Sequence, residues 1–136
     1  MTPIAIGDRF EDRFVLTDRH VQLFAELSGD TNSIHFDPEA ARRSALGTMS
    51  VHGMLSALAF SRILGTVFPG DGTVYHSQTL HFAKAMCVNV EYNACITVLE
   101  LLPEQHAARL ETLIQERSSN MTTLHGRALV IHLERL

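Results

Sequence analysis

Asp30 and His35 are an acid and an imidazole five residues apart, inside the stretch Phe24–His35, read FAELSGDTNSIH. On a continuous helix that spacing separates two side chains by roughly 140°, so they could not meet at one small molecule. The helix need not continue here. Ser28-Gly29 is a stop signal, and Asp30, Thr31, Asn32 and Ser33 are loop formers. A loop can fold Asp30 and His35 back toward one point, where an acid and an imidazole form a general acid/base pair or hold a water between them. Taken alone, such an Asp can instead cap a turn and such a His can be a satisfied structural residue. Asn32 can tie the loop through its side-chain amide.

A second candidate is His52-Gly53, at the start of an apolar stretch. A helix-start N–H with no side chain at Gly53 suits a developing oxyanion, although a glycine there can equally serve close packing. Ser61, further along the same stretch, either lines a site or packs. Arg42-Arg43 can meet phosphates or form a solvated helix face. The chain has eight histidines, but none has zinc-ligand spacing, so no metal site is expected. His76 and His81 fall in one predicted strand, where a separation of five puts them on opposite faces. The sequence has no G-x-S-x-G elbow, P-loop or dinucleotide fingerprint.

The chain has 136 residues, enough for one domain and hardly for two, so a single domain over 1–136 is expected. It is 46% hydrophobic and 19% charged, an ordinary globular mix. A net charge of −4, with lysine only at Lys84, argues against a nucleic-acid partner. No apolar run approaches the ~18 residues of a membrane span, and the N-terminus does not read as a secretory signal. Cys87 and Cys95, placed on one strand, would lie about 26 Å apart at a strand's rise per residue, too far for a disulfide. Two free thiols favour a reducing cytoplasm.

The elements that must position these residues follow from periodicity. Arg9 to Leu16 reads as a first strand. Thr17 or Asp18 caps a helix whose face is Val21, Phe24, Ala25 and Ser28, and Gly29 ends it. Asp37-Pro38 starts a short helix through Ser44. Gly53 to Leu64 is apolar almost all round, the mark of a buried helix, with Gly65 as its stop. Phe68-Pro69-Gly70-Asp71-Gly72 is a loop. Thr73 to Phe82 is a strand candidate, and Cys87 to Leu102 alternates clearly through Val88, Val90, Tyr92, Ala94, Ile96 and Val98. His106 to Arg117 and Met121 to Leu133 complete an antiparallel set. An α+β fold with one antiparallel sheet over one helix is the economical arrangement.

Phe24, Leu27-Ser28-Gly29-Asp30, Asn32, Ile34-His35 and Ala41 resemble the signature of the MaoC-like dehydratases, the (R)-specific enoyl-CoA hydratase family. Val51-His52-Gly53-Met54-Leu55, Phe60-Ser61 and Leu64-Gly65 resemble that family's central helix. Ser33 stands where the family has proline. Ala85 replaces a common proline, and Asn89-Val90 a common Gly-Asp pair. The resemblance implies the hotdog fold, an antiparallel sheet wrapped on a long central helix, and a homodimer. It implies a lyase that hydrates trans-2-enoyl-CoA to (R)-3-hydroxyacyl-CoA, or the reverse, with Asp30 and His35 catalytic and Gly53, Asn32 and Ser61 at the acyl thioester. No cofactor is expected beyond the coenzyme A or acyl carrier protein of the substrate. Two other readings share the fold: an acyl-CoA thioesterase, whose acid usually stands on the central helix, where Gly53 to Leu64 has none, and a non-catalytic acyl-thioester-binding module.

Overall fold

The computed structural model describes residues 2–136. Six antiparallel strands form one sheet: β1 (Arg9–Val15), β2 (Val74–Gln78), β3 (His81–Phe82), β4 (Glu91–Leu102), β5 (Ala107–Glu116) and β6 (Thr122–Ile131). The order is β1-β4-β5-β6-β2, with β3 also on β6. Alternation selects the concave face. Tyr92, Ala94, Ile96 and Val98 of β4, Leu110 and Ile114 of β5, and Leu124, Ala128 and Val130 of β6 all turn inward and are buried.

Four helices lie between the strands: α1 (Asp18–Ser28), α2 (Pro38–Arg42), α3 (Gly53–Ser56) and α4 (Leu58–Thr66). Thr17 caps α1 with a capping box in which His20 takes the role more often filled by Glu or Gln. The Thr17 hydroxyl accepts the His20 N–H, and His20 Nδ1 accepts the Thr17 N–H. Gly29 ends α1 at φ 76°, a conformation that favours glycine. Val21 and Ala25 of its expected face are buried and Phe24 is half-buried, but Ser28 is exposed. The Ser28 hydroxyl turns instead to the N–H of Asp30.

The core is the inner side of α3 and α4 on the sheet. Leu55, Ala59, Phe60, Ile63 and Leu64 pack on the strand residues named above. The sequence predicts a single long helix from Gly53 to Leu64, and the structure divides it. At Ala57 (φ −78°, ψ −11°) the α ladder is interrupted, and the N–H of Phe60 bonds back to Ala57 O, a three-residue step. Nor is the helix buried all round, since Met54 and Leu58 are 58% and 50% exposed. Gly65 does not stop α4, which runs to Thr66, where the N–H of Val67 bonds to Ile63 O.

The predicted strand Thr73–Phe82 is also divided. The register on β6 shifts between Tyr75 and Ser77, and the chain then crosses Gly126 so closely that a Cβ there would meet Thr79 O at 1.8 Å. His76 and His81 therefore occupy two strands, and the opposite-face argument does not apply. Cys87 lies outside β4 because Asn89, at φ 61°, turns the chain first. Both thiols are free. The short helix ends at Arg42 and the last strand at Ile131, each earlier than the sequence suggests. Arg42 and Arg43 both pair with Glu39, as on a solvated face. No helix among the described residues is long and apolar enough to cross a membrane.

Two measurements check this packing. Phe60 is fully buried, so Phe60→Ala should cost about 3–5 kcal/mol in denaturant unfolding; a loss below about 1 kcal/mol would mean that α4 does not lie on the sheet. Tyr92 is buried too, and burial pushes its phenol up, against a smaller opposing effect of the hydrogen bond it accepts from Cys87 N–H. The folded chain thus holds this proton at pH values where the unfolded chain, at about 10, releases it. The stability it contributes is complete below about pH 10 and is lost as pH rises through the folded value. Melting temperature should fall as pH rises above about 10, and fall less in Tyr92→Phe; equal slopes would contradict the assignment.

Candidate active site

The loop after Gly29 is built from short side-chain-to-backbone bonds. Asp30 Oδ1 accepts the N–H of Asn32, and Asn32 Oδ1 accepts the N–H of Ile34. These ties start a single 3₁₀ turn, Ser33–His35, with Asn32 as its N-cap. Asn32 thereby does the loop-tying that its residue type suggests. The turn brings His35 under the segment that precedes α3, where its Nδ1 donates to Ser50 O at 2.7 Å. A carbonyl can only accept, so the proton sits on Nδ1. Nε2 is the nitrogen left for chemistry.

His52 completes the group. It is almost fully buried, and its Nε2 donates to the main-chain carbonyl of Asp30 at 2.9 Å. Its ring lies 4.1 Å from that of His35, with Phe24 and Phe36 on its other sides. Asp30, His35 and His52 each place one donor atom within 4.8 Å of the others. At that distance Asp30 and His35 can share one bridging water, since each bond to it spans about 2.8 Å. The trio is also a donor set that a divalent ion could take. Ligand spacing did not reveal it because the three residues meet only through the fold. One nitrogen of each ring is already committed to a carbonyl, which leaves each histidine a single nitrogen for any ligand.

His35 and Gly53 line the same cavity, of about 280 Å³, together with Ile34, Ser50, Ser56 and Phe82. Gly53 is the first residue of α3, where an N–H has no partner within the helix. A Cβ on it would lie 3.1 Å from the Phe82 ring, so the missing side chain also serves packing. Ser61 does not join this group. It is exposed on α4 and lines two other, largely apolar cavities, one with Phe14, Leu16 and Leu55 and one with Met54, Tyr75 and Leu80. The His52 imidazole, the Ser50 carbonyl and Ser56 join the site only through the fold; the place of His52 beside Gly53 is the one signal of this in the sequence.

Residues 4–108 match the MaoC-like domain. The chain belongs to the MaoC-like domain family. It is 39% identical over 107 residues to the 3-hydroxybutyryl-CoA dehydratase of Methylorubrum extorquens, covering 79% of this chain and 67% of that one. It is 30% identical over 132 residues to a mitochondrial 3-hydroxyacyl-[acyl-carrier-protein] dehydratase of Arabidopsis thaliana, covering 96% of this chain and 78% of the relative. Its fold superimposes on the (R)-hydratase of Aeromonas caviae involved in PHA biosynthesis with a TM-score of 0.87 and 32% identity, over 95% of this chain and 97% of the other. The MaoC-like chain thus has the hotdog fold, α+β, with its sheet around the helix pair α3–α4.

The MaoC-like signature has proline where this chain has Ser33, and Ser33 is the first residue of the 3₁₀ turn, where proline is well accommodated. The preceding residue, Asn32, sits at φ −53° and ψ 125°, outside the α region that a following proline disfavours. Ser33→Pro should therefore stabilise the chain by about 0.4–1 kcal/mol by restricting the unfolded state. Thermal melting decides it: a lowered midpoint would show that the Ser33 N–H or backbone is needed as it stands.

Proposed function

We propose that this chain is a lyase that adds water to trans-2-enoyl-CoA to give (R)-3-hydroxyacyl-CoA, or removes it in the reverse direction. Relatives named as dehydratases of CoA and of acyl-carrier-protein thioesters support the class of substrate. The observation that carries the chemistry is the convergence of Asp30 and His35 beside the cavity that Gly53 lines. In this reading Asp30 and His35 hold one water. One of them takes its proton as the oxygen bonds to the β-carbon, and the other delivers a proton to the α-carbon. The pair of electrons moves through the thioester as an enolate and returns to form the α-C–H bond. The Gly53 N–H polarises the thioester carbonyl while that charge develops. Water and proton arriving from one side give syn addition. The step consumes no redox group, and coenzyme A or the acyl carrier belongs to the substrate. Asn32 supports the loop under the acyl thioester, and Ser61 is at most a wall of the acyl path.

The reading includes one catalytic domain over the whole chain, a cytoplasmic setting and a homodimer. Support for the dimer is an uncovered apolar strip: Met54 and Leu58 on α3–α4, with exposed Val74 and Tyr75 on the edge strand β2. A two-fold axis would bring two such strips together.

Mixing the protein with crotonyl-CoA should remove the enoyl-thioester absorbance, and release of free thiol instead would establish a thioesterase. Asp30→Asn and His35→Asn should each keep the melting temperature and lose on the order of 10²–10⁴ in turnover. The double variant should be little worse than the worse single one, because both groups act on one water. Near-full turnover in either single variant would remove the pair from the chemistry.

A further inference from the structure

We propose that His52 is a positioning residue whose Nε2–H clasps the Asp30 main chain and so sets where the Asp30 carboxylate stands relative to His35. The inference rests on the hydratase reading above and adds to it a residue that touches neither water nor thioester.

Asp30 is exposed and follows a helix end, so no ladder of backbone bonds fixes it. Its N–H donates to Ser28 Oγ and its carboxylate accepts the N–H of Asn32. Both partners lie only two residues away, Ser28 at the end of α1 and Asn32 in the loop itself, so neither ties Asp30 to a distant segment. Among the described residues, the hydrogen bond from His52 to the Asp30 carbonyl is the one that ties this residue to a distant part of the chain. His35 is tied to the same part, through Ser50 O and through the face of the His52 ring. The segment Ser50–Gly53 thus holds both reactive groups. The segment is itself fixed, because Ser50, Val51 and His52 are buried and the N–H of Val51 bonds to Met86 O at 2.8 Å.

The choice of residue type supports the same conclusion. With Nε2 donating to a carbonyl, the neutral ring carries no proton on Nδ1, and this buried nitrogen has no hydrogen-bond partner among the described residues. A buried polar atom without a partner destabilises the fold. A residue that only filled this space would be apolar, like Phe24 and Phe36 beside it. The imidazole keeps an unpaired nitrogen in order to present the other one to Asp30.

Two substitutions separate the clasp from the packing. His52→Phe keeps a ring against His35 and removes the donor. His52→Gln loses the ring but can place an amide N–H near the position of Nε2. The expected result for His52→Phe is a fall in kcat on the order of 10²-fold with crotonyl-CoA, the effect of a small misplacement, with KM and melting temperature close to those of the wild type. His52→Gln should recover most of the loss. Amide hydrogen exchange of Asn32 and Ile34 should quicken in His52→Phe and return in His52→Gln. Unchanged kcat and exchange in His52→Phe would overturn the proposal, as would a fall in His52→Gln as deep as in His52→Phe, or a loss in His52→Phe that tracks a lowered melting temperature. The exchange measurement needs no turnover, so an inactive wild type would refute the hydratase reading while the clasp was still decided by Asn32 and Ile34.

Discussion

The burial of one side of α3 and α4 in the concave sheet governs everything else in this chain. Phe60, Ile63 and Leu64 are fully enclosed, and they fix where the helix pair begins as well as where it lies. The segment that leads into the pair, Ser50 to His52, is buried too. Buried main chain must find partners for its polar groups. Val51 finds one in Met86, and Ser50 finds one in the ring of His35. Hydrophobic packing thus creates an acceptor at Ser50 that then orients an imidazole. The polar geometry at the site follows from an apolar requirement one turn away.

Much of this was legible in the residues, and the failures have common causes. Strand alternation located β4, β5 and β6 because each buries one face, and the period of two survives in the sequence. Thr17, Gly29 and Asp37-Pro38 marked helix ends because capping is local chemistry. The loop that folds Asp30 and His35 toward one point was legible for the same reason, since the Asx bonds that shape it join residues two apart. What the sequence did not disclose depends on contacts between distant segments. The break at Ala57 comes between two ordinary helix formers. The division of β2 from β3 depends on Gly126 lying under Thr79, a contact that no local pattern encodes. His52 belongs to the site only because Asp30 comes back to it. Ser61, which the resemblance places at the acyl thioester, lines other cavities than the one shared by His35 and Gly53.

Met54 and Leu58 show how a composition argument can be right about polarity and wrong about cover. Their helix does lack a wide polar face. The sheet of this one chain wraps only one side of it, and the other side remains apolar and open. An apolar helix surface specifies that it will be covered, without specifying by which chain.

The sheet that performs this wrapping is closed at one side by β1, which lies against β4 with Arg9 opposite Thr97 and Val15 opposite Glu91. Asp30, His35, His52 and Gly53, by contrast, are near neighbours along the chain. Pairing β1 with β4 requires closing the long loop that contains all of them, at an entropic cost that grows with its length. Folding of this topology is governed by that non-local closure. A growing chain that has emerged only as far as β3 already carries every reactive group and still lacks β4, β5 and β6, whose buried residues form most of the wall against which Phe60 and Leu64 come to rest.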